Sequence, residues 1–268
     1  VTKTWRAVPL LLSLSLAAWL PCTARADSPE AVSGNGFTFL SDATNVTHWG
    51  LGAGVGVEAK PYKKDRAEVL PLPLVYFDDK WVRLFGNSID LKIGQLNEIS
   101  VALRGQVGLF DGYKQSDAPI LNGMQNRNSV TFWYGPSLAW RSAFGTLSGS
   151  YLIGGNKGQR ASIEFEKTFD AGKWSFSPHV GTEWLSRKYV DYYYGVTAQE
   201  ARSWRRQYSG SATEKTEVGM RLGYQLTAEQ TVSLDVAVTH LGHGITDSPL
   251  VGKRFIPEAR LGYMYRFK

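Results

Sequence analysis

His240, His243, Asp247 and Ser248 fall in one short stretch of the chain. A hydroxyl, an imidazole and a carboxylate to orient it are the parts of a nucleophilic hydrolase. In a membrane protein such a set would attack the esters of a lipid, for instance lipid A. The spacing matches no nucleophile motif, and Gly242 and Gly244 mark a loop. A non-catalytic chain is therefore expected, with a lipid A-modifying enzyme as the lesser alternative. His240 and His243 are also metal-type ligands, but no third ligand accompanies them, so no metal or other cofactor is expected.

Two further groups carry charge. Arg104, Glu164, Glu166, Arg221, Asp235, Glu258 and Arg260 lie among apolar residues with which they alternate. Both signs on one face would fill a narrow interior with ion pairs or line a water path; the filled state is the expectation. Lys60, Lys63, Lys64, Arg66, Arg187, Lys188, Arg202, Arg205, Arg206, Lys253 and Arg254 cluster instead in the connections. Lysine and arginine there suit the phosphates of lipopolysaccharide. The sharper alternative is a specific anion or glycan site, with Tyr192, Tyr193, Tyr194 and Trp204 as stacking faces.

The elements that must hold these groups are strands. Val232, Leu234, Val236 and Val238 alternate with Ser233, Asp235 and Ala237. Ile99, Val101, Leu103, Val107 and Leu109 share a parity opposite Ser100, Arg104 and Gln106. Ile163, Phe165 and Phe169 oppose Ser162, Glu164, Glu166 and Thr168, with Lys167 breaking the apolar parity. A two-residue period is that of an extended chain with one apolar face. At the end of the chain Leu261, Tyr263, Tyr265 and Phe267 form such a face, and its rings suit a lipid interface. Arg260, Gly262, Tyr265 and Phe267 also resemble the terminal signal for barrel assembly, except that Lys268 follows the last aromatic.

Strands are expected near 47–59, 68–77, 80–86, 88–94, 97–110, 127–141, 144–153, 159–169, 173–186, 211–226, 229–241 and 256–267. The fold class is thus all-β: a closed antiparallel transmembrane barrel of about 12 strands, with 10 to 14 admissible. Its long connections all fall on one side, with the short Gly86–Asn87 turn among them, and the other side has only short turns, as in bacterial barrels whose turns face the periplasm. Gly50, Gly52, Gly54 and Gly56 should lie on one face and let bulky groups approach the wall. They do not read as a dinucleotide fingerprint, since no helix follows. Pro71 and Pro73 should mark an edge-like or bulged strand. Trp133, Trp140, Trp174 and Trp184 are expected as interfacial anchors.

Residues 1–26 read as an export signal: Lys3 and Arg6, an apolar run from Leu10 to Leu20, then Ala24 and Ala26 before a cleavage at Asp27. The apolar run is shorter than the roughly 18 residues of a helical span. Pro21 before Cys22 argues against lipidation. Residues 27–46 would be a periplasmic segment and 47–268 the barrel. Cleavage removes Lys3, Arg6 and Arg25 and no acid, lowering the net charge from +6 by those three, so no nucleic-acid partner is implied.

Several segments resemble the MipA/OmpV family of outer-membrane proteins. They are Trp49 to Val57 with its alternating glycines, Pro61 and Tyr62, Leu70 to Tyr76, Asp191 to Val196 with Glu200 and Ala201, Ser248 to Gly252, and Leu261 to Phe267. The resemblance implies a Gram-negative outer-membrane barrel in contact with lipid and lipopolysaccharide. It further implies a scaffold joining a murein lytic transglycosylase to a penicillin-binding protein in peptidoglycan synthesis and turnover. A small porin is the alternative that the family also admits. Oligomeric state is left open.

Overall fold

The computed structural model describes residues 37–39, 45–65, 67–108 and 112–267. The expected export signal, Arg66, Lys268 and most of the segment 27–46 lie outside these. Twelve strands form the wall: β1 His48–Ala59, β2 Ala67–Asp78, β3 Val82–Phe85, β4 Ser88–Leu96, β5 Ile99–Gly108, β6 Thr131–Ser142, β7 Gly145–Ile153, β8 Gln159–Glu166, β9 Trp174–Leu185, β10 Thr213–Gln225, β11 Gln230–Leu241 and β12 Phe255–Phe267. Each pairs antiparallel with the next. β12 returns to β1, from Ala259 opposite Val57 to Phe267 opposite Trp49. The sheet is closed, as the alternation predicts, and all twelve expected strands are present.

Closure is what allows this sequence to cross a membrane with a half-polar strand. Apart from the upper part of β2, which β3 does not reach, the ladder groups find neighbours around the ring, so only the outward side chains need be apolar. On β12 Leu261, Tyr263 and Tyr265 are exposed on the outer face, while Ile256, Glu258, Arg260 and Met264 are buried in the lumen. Aromatic rings collect at the rim formed by the short turns. Trp49 stacks on Phe267 at 3.9 Å, Tyr265 meets Phe267 at 4.9 Å, and Trp174 meets Tyr224 at 4.6 Å.

Trp140, Trp174 and Trp184 are exposed outward, as anchors should be, but Trp133 is fully buried. Trp133 and Trp140 stand on the same strand with opposite parity, so they cannot share a face. Trp133 points into the lumen, with the Arg160 guanidinium 4.7 Å from its ring centroid and Tyr189 at 5.7 Å.

Gly50, Gly52 and Gly54 line the inner face where β1 meets β12. A Cβ on Gly52 would come within 2.1 Å of the Tyr263 carbonyl oxygen, and one on Gly54 within 2.6 Å of that of Leu261. Leu72, Leu74 and Met264 pack together beside this bare strip.

The proline pair produces an edge without a bulge, since β2 keeps an unbroken register with β1 over its whole length. β3 is only four residues long and pairs β2 only from Tyr76 to Asp78. The Val75 carbonyl accepts from Gly86 N–H, so main-chain groups of its parity aim away from β1. Pro71 and Pro73 share that parity and have no N–H to leave unpaired. Among the described residues the wall is therefore low above the Gly86–Asn87 turn. The one register shift recorded in this region lies in β4, between Lys92 and Gly94.

The connections of one rim, hereafter the turn rim, are short; the long connections all occupy the opposite loop rim, which also holds the short Gly86–Asn87 turn. The longest contains an eight-residue helix, α1 (Arg187–Tyr194), where only a loop was expected. A second, four-residue helix, α2 (His243–Thr246), follows β11. Phe169–Ala171 forms a short extra strand on β9, after the break at Lys167.

Gly52→Val should prevent β1 from seating against β12, and the heat-modifiable folded band on cold gel electrophoresis should be lost. Gly149→Ala, whose added carbon meets only ordinary contacts of 3.4 Å or more, should keep that band.

Candidate functional site

The lumen is lined by charge, most densely along β8 to β12. Arg221 on β10 lies opposite Asp235 on β11, which lies opposite Arg260 on β12. Arg221 donates to Asp235 at 3.1 Å and to Glu166 on β8 at 2.6 Å, while Arg260 donates to Glu258 at 2.6 Å. His179 on β9 stands 3.6 Å from Asp235 and 3.9 Å from Glu217. Across the lumen Arg104 grips Asp90 with two bonds of 2.7 and 2.8 Å. Charges so withdrawn from water are tolerable only when matched, so the network is a filling as much as a lining. Nearer the loop rim, Glu183 pairs with Lys215 at 2.7 Å and with Arg160 at 3.6 Å.

Above these charges the loop rim is closed by a folded cap. Ser186 caps α1: its hydroxyl accepts from Tyr189 N–H at 3.3 Å and from Gln159 N–H at 2.9 Å. The helix buries Tyr189, Val190 and Tyr193 against Trp133, Leu152, Leu185, Leu241, Ile245 and Ile256. A second apolar layer joins Tyr62, Tyr113, Leu121, Met124, Val196 and Leu250 from four connections. Burial pushes the Tyr113 hydroxyl up to about 12.

Two arginines stitch the cap through main-chain oxygens. Arg127 donates to the carbonyls of Asp191 and Tyr192 at the end of α1, and pairs with Glu200 at 3.1 Å. Arg205, 0% exposed, donates to the carbonyls of Glu200 at 2.7 Å, Asn122 at 3.0 Å and Ile120 at 2.5 Å. Arg205 is thus a strut inside the cap and does not offer its charge to lipopolysaccharide. Burial would raise the Glu200 carboxyl, but the N–H groups of Gln125 and Thr197, the Thr197 hydroxyl and Arg127 hold it below the usual carboxylate range.

Of the other cations, Lys63, Lys64, Arg187, Lys188, Arg202, Arg206 and Arg254 are exposed on the loop rim. Lys60 and Lys253 are half-buried, Lys60 donating to Gly112 O at 3.2 Å and Lys253 to Lys60 O at 3.1 Å. Tyr193 is buried under the cap and Trp204 stands 58% exposed.

The hydrolase-like set is not brought together. His240 faces outward against the Phe255 ring at 4.9 Å, and His243 is exposed with Nδ1 3.7 Å from Asp247. Ser248 is 2% exposed and donates its proton to Tyr194 O at 2.7 Å. Among the described residues no group of three or more His, Cys, Asp or Glu side chains could hold a metal ion.

Residues 51–267 match the family model described as MltA-interacting protein MipA. The chain is 28% identical to the MltA-interacting protein of Escherichia coli K12, over 85% of this chain and 95% of that one. It is 26% identical to outer membrane protein Omp26La of Vibrio anguillarum, over 63% of each chain. Among solved structures, an outer-membrane channel of Pseudomonas putida F1 aligns over 85% of this chain and 98% of that one, with a TM-score of 0.43 and 10% identity.

Arg221→Ala removes the arginine that Asp235 and Glu166 share, and should lower stability by about 3–5 kcal/mol, read from denaturant midpoints in detergent. A carboxyl whose folded pKa is depressed stabilises fully above its unfolded value of about 4.3, and loses that contribution as pH falls through the folded value. Thermal midpoints of the folded barrel should therefore drop on acidification below about pH 4. Glu200→Gln should melt lower at pH 7 and show a smaller acid-induced drop than the parent.

Proposed function

The chain belongs to the MltA-interacting protein MipA family, and from that premise we propose that this outer-membrane barrel is a non-catalytic scaffold for murein synthesis and turnover. Its partners on this reading are a lytic transglycosylase and a penicillin-binding protein. The observation that carries it is the capped, ion-paired lumen, which favours a surface over a pore as the working part. The name of the Escherichia coli relative, MltA-interacting protein, supports the transglycosylase as the first partner.

A periplasmic partner would meet the turn rim. Its connections are short, but the described residues 37–39 and 45–47 ahead of β1 lie along it. Thr38 and Phe39 pair with Gln95 and Gly94 of β4, and Asn45 accepts from Lys80 N–H at 2.9 Å. Phe37 and Phe39 are exposed there. This stretch offers the partner more surface than a two-residue turn.

A small porin is the second reading, favoured by the charged side chains along the lumen. An enzyme finds no support in the placement of His240 and Ser248.

Refolded protein immobilised beside a size-matched barrel should retain a lytic transglycosylase from envelope extract, with a penicillin-binding protein in the same eluate. Equal recovery on both barrels would remove the scaffold reading. In planar bilayers the purified protein should show no discrete conductance steps; regular steps would support the porin.

A further inference from the structure

The loop rim carries a groove of about 500 Å³ that neither the lumen nor the cap explains. Lys63 lines it from the connection after β1, Ser203, Trp204 and Arg206 from the connection after α1, and Thr246 and Asp247 from the end of α2. Its walls are held in place by main chain. Tyr62 pairs with Val251, Lys63 N–H donates to Leu250 O at 2.8 Å, and Gly252 N–H to Pro61 O at 2.9 Å. Gly252 is bare beneath the Lys63 stem, where an added carbon would lie 2.8 Å from Cγ. Arg202 and Arg205 bond each other's main chain across a two-residue tip, and the buried Arg205 strut anchors one end of it. Trp204 is on that tip, turned out to solvent. Arg206 ties the two walls, donating to Asp247 O at 3.1 Å.

This inventory is unlike an apolar pocket and unlike a belt of lipid anchors. Beside Pro249, Val251 and Ser248, whose hydroxyl is spent on Tyr194 O, it offers an indole, two exposed cations, one carboxylate and the hydroxyls of Ser203 and Thr246. The indole can stack on the C–H face of a sugar ring. Arg206 can grip a planar carboxylate or a phosphate, with Lys63 adding a second positive charge. The Asp247 carboxylate accepts from sugar hydroxyls, and Ser203 and Thr246 both donate and accept. Two positive charges against one negative favour an acidic saccharide over a neutral one. We propose that this groove binds an acidic carbohydrate, with one sugar ring on Trp204 and its acid group against Arg206 and Lys63. The site faces away from the turn rim, so it stands independently of the scaffold reading.

The acidic sugar could come from the cell's own lipopolysaccharide or from polysaccharide outside it. Titration calorimetry on the full refolded barrel in detergent separates the two sources. The probes are deacylated, phosphorylated lipopolysaccharide core oligosaccharide, trigalacturonate and, as the neutral comparison, maltotriose. At least one acidic probe should bind tenfold or more tighter than maltotriose. Trp204→Ala and Arg206→Ala should each weaken it about tenfold. Trp204→Phe, which keeps a stacking face, should retain most of the affinity, and Lys188→Ala, outside the groove, should retain all of it. Each variant must first show the heat-modifiable folded band. No measurable binding of either acidic probe overturns the proposal. So does binding that Trp204→Ala and Arg206→Ala leave unchanged, which would mean diffuse attraction to the basic rim.

Discussion

The main-chain pairing of β12 with β1 is the contact on which everything else rests. A membrane offers no hydrogen bonds to an open sheet edge, and a twelve-strand sheet left open would expose two such edges to lipid. The chain meets this demand with a strip of glycines that lets the last strand seat against the first. Closing the ring creates an inside, and the inside then has to be filled. The two halves of that filling differ because the strands differ. β1, β2 and β12 supply glycine, leucine and methionine, whereas β8 to β12 supply the carboxylates, arginines and histidine of the ion-paired side.

Charge inside the barrel and apolar packing at its mouth depend on each other. Matched ions attract most strongly where water is scarce, and the cap limits water from the loop rim. The cap is in turn founded on lumen-facing positions near the strand ends: Trp133, Leu152, Leu185, Leu241 and Ile256 are the floor on which α1 rests. A connection that would otherwise be a long solvated loop becomes a small hydrophobic core. Arginine serves in both places for one reason, that a rigid fork of donors can satisfy several oxygens at once.

The wall was legible in the sequence because it obeys one period. Val232 to Val238 and Leu261 to Phe267 announce their outward face residue by residue, and the separation of long from short connections follows from the strands alone. The cap was not legible to that degree, because its contacts join segments far apart in the chain: Arg127 with Glu200, Arg205 with Ile120, Tyr62 with Tyr113. Some signals were nonetheless present. Ser186 ahead of Tyr189, Val190 and Tyr193 is a helix start followed by an apolar stripe. The odd position of Trp133 against the even one of Trp140 already separated lumen from lipid. Arg205 could be told from its neighbour Arg206 only by burial, which no local pattern records.

The low wall at β3 gives the barrel a front and a back in the plane of the membrane. Four residues of strand span roughly 13 Å where twelve span about 40 Å. Lipids on that flank meet a shorter apolar surface than lipids elsewhere around the ring, and a bilayer answers such a mismatch by thinning or by letting the protein lean. The two prolines also remove two of the donors with which a strand from another chain would pair along that flank. A molecule built this way has a compass bearing among its neighbours, set by a hairpin that stops early.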